Sequence, residues 1–182
     1  KIIKKIIKNK KNTRLITNIK NIFYSGSVEK IIRESKYSKI AIVDSDGQYY
    51  FNDLKKLFSI LSKSSDIVFG YRKKRNDSFL RVVFSKIFNI LSASLLCSRL
   101  NDLNCGIRVL KRNKNFKKNL FKLNYVNPEL FCFYKSNNLM ISEAQVNHKT
   151  RISGESIHSA TKIIFIFFEV LKYFIKLRQK YL

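Results

Sequence analysis

Acidic residues are scarce in this chain: 12 Asp and Glu stand against 37 Lys and Arg in 182 residues, a formal net charge of +25. So few carboxylates leave little to attract a cationic partner, and the excess favours polyanions such as nucleic acid, anionic headgroups or phosphorylated substrates. Runs such as KIIKKIIKNKKN also read as a global Lys, Asn and Ile bias, so charge alone names no partner. Cysteine is sparse too. Cys97, Cys105 and Cys132 are odd in number and lack CxxC spacing, which argues against a disulfide framework or a zinc site and for a reducing compartment. Nothing resembles a cleavable signal peptide. The chain opens on Lys1 and its single methionine is Met140, which leads to the expectation that it is a piece of something longer. Glycine is limited to Gly26, Gly47, Gly70, Gly106 and Gly154, so its placement is informative.

What is present suggests one domain with a substantial core, 45% of the residues being hydrophobic. Apolar runs of strand length alternate with helical patterns, the signature of an α/β domain. Residues 1–10 look like the tail of an amphipathic helix, 14–19 a strand and 28–35 a helix. Residues 40–43 read as a fully buried parallel strand. Asn52 or Asp53 is placed to cap a helix running to about residue 62. Residues 66–71 read as a second buried strand, 79–96 as a long apolar helix, 105–110 as a strand and 112–123 as a helix. Pro128 suits the first turn of a helix reaching about residue 135. Residues 139–148 alternate like a strand, and a last helix starts near residue 159. No internal repeat or low-complexity linker interrupts this order.

At the end of the first buried strand the chain reads DSDGQ, residues 44–48. Two acids at i and i+2 on extended backbone point to one side. At the carboxyl end of a strand they face the crevice where α/β sheets bind ligands. Paired carboxylates repel unless a cation lies near, and their hard oxygens select Mg²⁺ or Mn²⁺, usually alongside substrate phosphates. A tight Asp46-Gly47 reversal is the alternative, which accounts for Asp46 and leaves Asp44 unexplained.

The series continues with FGYR (69–72), DLNCGIR (102–108), Glu129 and HKTRISGES (148–156). Taken in order, these segments resemble the family-two glycosyltransferases, and within them the polyprenyl-phosphate hexosyltransferases such as dolichyl-phosphate mannose synthases. Their pattern runs D-x-D-G-Q, G-x-R, D-x-x-C/S-G-F-R and R-x-x-G-x-S, and the match covers about residues 26–160. The resemblance implies a GT-A fold: a Rossmann-like, three-layer α/β domain with a mixed, mostly parallel sheet. It also implies a nucleotide-sugar donor, UDP- or GDP-hexose, whose diphosphate is clamped by a divalent ion, Mg²⁺ or Mn²⁺. Asp44 and Asp46 would hold the metal, with Gln48 beside it. The family opens with a strand and an Asn-Glu motif that are not found before Lys1, so the expectation is a domain over residues 1–157 lacking its first strand. Tyr49-Tyr50 replaces the family's His-Pro, and Glu143-Ala144-Gln145 replaces E-x-P.

The acceptor implied is a polyprenyl phosphate, whose oxygen is already ionised at neutral pH and has little need of a general base. Arg72, Arg75 and Arg151 match or neighbour arginines placed around phosphate, which guanidinium forks suit. Asp102 is the remaining carboxylate in a family motif, expected to orient the donor sugar, act as a base or cap a loop. Gly106 and Arg108 are expected to shape and brace that loop, and His148 to be structural. Glu129 either faces the site or favours its helix start.

In the last segment, 158–182, Lys162, Glu169, Lys172, Lys176 and Lys180 form one narrow polar stripe beside a wide apolar arc. Its longest apolar run, 163–168, falls well short of the ~20 residues of a membrane span. A helix lying in the membrane interface fits it, as does one packed on the domain. The expectation is therefore a hexosyltransferase at the cytoplasmic face of a membrane, peripheral or weakly anchored. Its rivals are a transferase acting on a sugar hydroxyl, which would make Asp102 an indispensable base, a basic nucleic-acid-binding module, and an inactive remnant. No nucleic-acid-binding motif is found, and the basic residues are spread through every segment, so no nucleic-acid partner is expected.

Overall fold

The computed structural model describes residues 2–8, 10–73, 79–113, 125–150 and 163–182. Among these residues ten elements follow one another: α1 (Ile2–Ile7), α2 (Phe23–Glu34), β1 (Lys39–Val43), α3 (Asp53–Lys63), β2 (Ile67–Arg72), α4 (Phe79–Leu96), β3 (Ile107–Lys111), α5 (Val126–Ser136), β4 (Ile141–Val146) and α6 (Ile163–Tyr181). The four strands form one mixed sheet in the order β1-β3-β2-β4. β3 is antiparallel to both of its neighbours, and β2 and β4 pair in parallel. β1, β2 and β4 therefore run in one direction with β3 against them. This is the mixed α/β architecture of a GT-A, Rossmann-like domain.

Strand alternation sends side chains to two cores. Ile40, Ile42, Ile67, Phe69 and Leu110 face a large cluster built with α2, α5 and α6. Val68, Ile107 and Val109 face a smaller one closed by Leu57 and Leu61 of α3. Helices thus lie on both faces of the sheet, which explains why β2 reads as a continuous apolar run. Residues 40–43, expected as a fully buried parallel strand, instead form an edge strand antiparallel to β3 whose side chains alternate between buried and half-buried. α6 buries Val170, Tyr173, Phe174 and Leu177 against α5 and α4.

Several boundaries differ from expectation for local reasons. Residues 14–19 are not a strand. Arg14 Nη2 instead donates to the Glu34 carbonyl at 2.8 Å, and Lys30 Nζ to that of Thr17 at 2.9 Å, so the segment lies along α2 and has no ladder to join. α2 begins at Phe23, five residues early, with the Phe23 N–H donating to Asn21 Oδ1 at 2.9 Å. Neither Asn52 nor Asp53 caps α3; the Asp53 carboxylate accepts from the Asn147 N–H at 2.8 Å, tying the start of α3 to the end of β4. Cys105 and Gly106 turn into β3 without joining it. Pro128 is the third residue of α5, still within the first turn where its missing N–H costs nothing. Arg112 and Asn113 are outside any helix, and the rest of the helix expected over 112–123 lies outside the described residues.

Candidate active site

The DSDGQ segment leaves β1 at the rim of the sheet. The Asp44 N–H donates to the Gly106 carbonyl at 3.1 Å, which carries the β1–β3 pairing one residue further. The chain then reverses. Gly47 takes the left-handed φ of 75°, and the Gln48 N–H donates to Asp46 Oδ1 at 3.2 Å. The Asp-Gly turn therefore exists, and it orients the Asp46 carboxylate while making the turn.

Asp44 is fixed from two sides. The Tyr24 hydroxyl, at the start of α2, donates to Asp44 Oδ1 at 2.7 Å and accepts from Arg108 Nη2 at 3.0 Å. Burial raises the Tyr24 phenol above its ordinary value, with the Arg108 charge pulling the other way. Opposite, the carboxylate lies against Gly106: a Cβ there would stand 2.2 Å from Asp44 Oδ2 and 2.9 Å from Tyr49 Cε2. Glycine is the residue that this approach allows.

Tyr49 is buried. Its hydroxyl accepts from the Gly106 N–H at 2.9 Å and from Cys105 Sγ at 3.7 Å, and its ring meets His148 edge-on at 5.6 Å. Burial pushes the Cys105 thiol up to about 11 and the Tyr49 phenol well above its usual range, so both stay protonated at neutral pH. Gln48 is buried as well, and its Nε2 donates to the Lys149 carbonyl at 3.2 Å. The Lys149 N–H returns a bond to the Gln48 carbonyl at 2.9 Å. Residues 148–149 are thereby stitched to the DSDGQ turn, and Lys149 Nζ stands 3.8 Å over the Tyr50 ring.

At the other end of the DLNCG loop, Asp102 and Arg72 form a buried fork. Arg72 Nε donates to Asp102 Oδ2 at 2.6 Å and Nη2 to Oδ1 at 3.0 Å, with the two side chains 9% and 6% exposed. Burial alone would lower the Arg72 guanidinium, but its hydrogen bonds and charge contact with Asp102 outweigh this and raise it. Both oxygens of the Asp102 carboxylate thus accept from one guanidinium. One loop of five residues thus joins the ion pair to the paired aspartates.

The structure brings Asp44, Asp46, Gln48, Arg72, Asp102, Gly106 and Arg108 around the rims of β1, β2 and β3. Arg75 and Arg151 lie outside the described residues. Glu129 sits elsewhere: it is 1% exposed, and its Oε1 accepts from Lys180 Nζ at 2.7 Å and from the Tyr181 hydroxyl at 3.1 Å. It locks α5 to the end of α6. Tyr24 is the site residue that sequence reasoning missed. An aromatic at a helix start twenty residues before Asp44 gives no local sign of its partner.

Among the described residues no group of three or more His, Cys, Asp or Glu side chains is able to hold a metal. No described helix is long and apolar enough to cross a membrane. No curated protein matches the chain. The family model of glycosyl transferase family 2 matches residues 1–135. With paired acids at the end of a sheet strand, a mixed α/β fold and a match over most of its length, the chain belongs to glycosyl transferase family 2.

Proposed function

We propose that this chain transfers a hexose from a nucleotide-sugar to a polyprenyl phosphate at a membrane surface, with Mg²⁺ or Mn²⁺ bound between Asp44 and Asp46. Family membership makes it a glycosyltransferase with a nucleotide-sugar donor and an acceptor. The finer reading rests first on the rim of β1. Each aspartate there has one oxygen anchored, Asp44 Oδ1 by Tyr24 and Asp46 Oδ1 by the Gln48 N–H.

That donor set fits a hard divalent cation. Two carboxylates, with no third ligand of this kind among the described residues, leave positions for diphosphate oxygens and water, the usual Mg²⁺ arrangement. Such an ion, when bound, stabilises the negative charge that grows on a departing nucleoside diphosphate. The protein's own groups do the positioning. Gly106 keeps the Asp44 carboxylate seated, and the buried Arg72–Asp102 fork fixes the DLNCG loop beside it.

The Asp102 geometry also favours a phosphate acceptor over a sugar hydroxyl. A hydroxyl acceptor needs a base to take its proton. Both Asp102 oxygens already accept from Arg72, whereas a phosphate oxygen attacks without giving up a proton. Arg151 and Arg75 stay candidates for holding that phosphate. The membrane part of the reading draws on α6. The face turned away from its core residues carries Phe168, Ile175 and Leu182 at intervals of seven, 43–53% exposed, with Lys172 and Lys176 beside them. Exposed apolar groups flanked by lysines suit an interface with anionic headgroups.

The test is sugar transfer by the protein in membranes supplied with polyprenyl phosphate and a screen of nucleotide-sugar donors. Asp44→Asn and Asp46→Asn are each expected to abolish transfer while the protein stays folded. Normal turnover in either variant removes the metal clamp.

A further inference from the structure

Arg108 is fully buried, 0% exposed, yet among the described residues no carboxylate touches its guanidinium. Nη2 donates to the Tyr24 hydroxyl at 3.0 Å, Nη1 reaches the Cys105 carbonyl only at 3.5 Å, and Nε has no partner. A buried cation without a paired anion is destabilising, and an apolar side chain of similar volume would fill the place at lower cost. The charge does meet a carboxylate at one remove. The same Tyr24 hydroxyl that accepts from Arg108 donates to Asp44 Oδ1 at 2.7 Å, and the guanidinium carbon stands 5.9 Å from the Tyr24 ring centroid.

The relay is carried by packed elements. Arg108 lies on β3 directly opposite Ile42 of β1, two residues before Asp44. Tyr24 is carried by α2, which is pinned to the core through Val28 and Ile32. Arg108 therefore donates to Tyr24, and Tyr24 to Asp44, from elements that pack on the same core.

We propose that Tyr24 and Arg108 are positioning residues for Asp44: the guanidinium orders the phenol, and the phenol holds the carboxylate in the single orientation that a divalent cation needs. This rests on the metal reading of the DSDG turn given above. Ligating carboxylates are commonly held by hydrogen bonds of their own, and loss of such a partner weakens metal binding by roughly 10–100-fold. The competing role is mechanical, with the Tyr24–Arg108 contact only fastening α2 to the sheet.

Mn²⁺ binding separates the two without depending on turnover. The intact protein is titrated with Mn²⁺ in the presence of UDP, and again with GDP, following the free-ion signal by electron paramagnetic resonance. Tyr24→Phe keeps the ring and removes only the hydroxyl; it is expected to bind Mn²⁺ roughly 10–100-fold more weakly per folded molecule, measured below its own thermal midpoint. Arg108→Lys keeps the charge and loses the fork, and is expected to weaken binding in the same direction. Tyr24→Phe that matches wild-type Mn²⁺ affinity overturns the inference, whatever happens to its melting. Wild-type protein that binds no Mn²⁺ with either nucleotide overturns the metal reading itself, and so the two failures are distinguishable.

Discussion

The rim of the sheet and the helical layer of α4, α5 and α6 are stabilised by different physics. At the rim the groups that fix the site are polar and joined by directional hydrogen bonds: the buried Arg72 with Asp102, the partly exposed Tyr24 with Asp44, and the buried Tyr49 with the Gly106 N–H. In the helical layer the buried groups are Val170, Tyr173, Phe174, Leu177 and Leu96, with Phe88 meeting Phe174 edge-on at 5.0 Å. Hydrophobic packing is non-directional and tolerates changes of similar volume. A buried polar pair tolerates almost none, because removal of either partner strands the other. The rim thus holds a fixed geometry at the expense of stability, and the helices supply the stability.

Removing Asp102 is the harshest way to probe that contrast. Asp102→Ala leaves the Arg72 guanidinium buried without its partner, and the expected loss is about 3–5 kcal/mol together with the loss of sugar transfer. Phe174→Ala, which empties a fully buried position in α6, is expected to cost a similar ~3–5 kcal/mol but to keep turnover per folded molecule. Urea midpoints and initial rates on both variants measure the two quantities. The double variant Arg72→Met/Asp102→Leu sharpens the point, with stability expected to return toward wild type and transfer to stay absent. Recovered transfer in that double variant would erase the distinction drawn between the two regions.

Gly106→Ala is a smaller change at the meeting point of the rim. Its Cβ would stand 2.2 Å from Asp44 Oδ2, so the carboxylate has to swing out of place. The expected cost is about 1–3 kcal/mol, the range for overpacking, with transfer falling much further than stability. Parallel decline of the two would mean that Asp44 does not need its observed position.

How far the sequence revealed this depended on whether the partners were local. The end of β1 just before Asp44, the two-sided burial of β2 and the long helix α4 were all legible, because apolar periodicity is a local signal, whereas the antiparallel pairing of β1 at the sheet edge was not. The DSDGQ and DLNCG segments stood out for the same reason, and the fold brings both to one rim of the sheet. Pairings over long sequence separations were not legible. Asp102 reads as a candidate base, and only the fold shows Arg72, thirty residues away, occupying both its oxygens. Glu129 was open between site and helix start until α6 placed Lys180 and Tyr181 on it. The strand expected over 14–19 failed because β propensity says nothing about whether a neighbouring edge is there to pair with.

Glu129 gives the gentlest test, since it is a buried carboxyl within the apolar layer. Its Oε1 holds Lys180 and Tyr181, and its Oε2 is buried without a partner. Burial raises its carboxyl above the ordinary 4.5, with the Lys180 hydrogen bond opposing. A carboxyl raised by folding binds its proton more tightly in the native state than in the unfolded chain. Its contribution to stability is therefore fully present below about pH 4.5, the unfolded value, and is lost as pH rises through the higher native value. Glu129→Gln carries no such titration. Measured against that variant, the wild-type urea midpoint is expected to compare best at acid pH and to lose ground steadily toward neutrality. An offset that stays constant across this range would mean that Lys180 and Tyr181 compensate the buried charge in full, and the helical layer would then contain a matched polar pair like those of the rim.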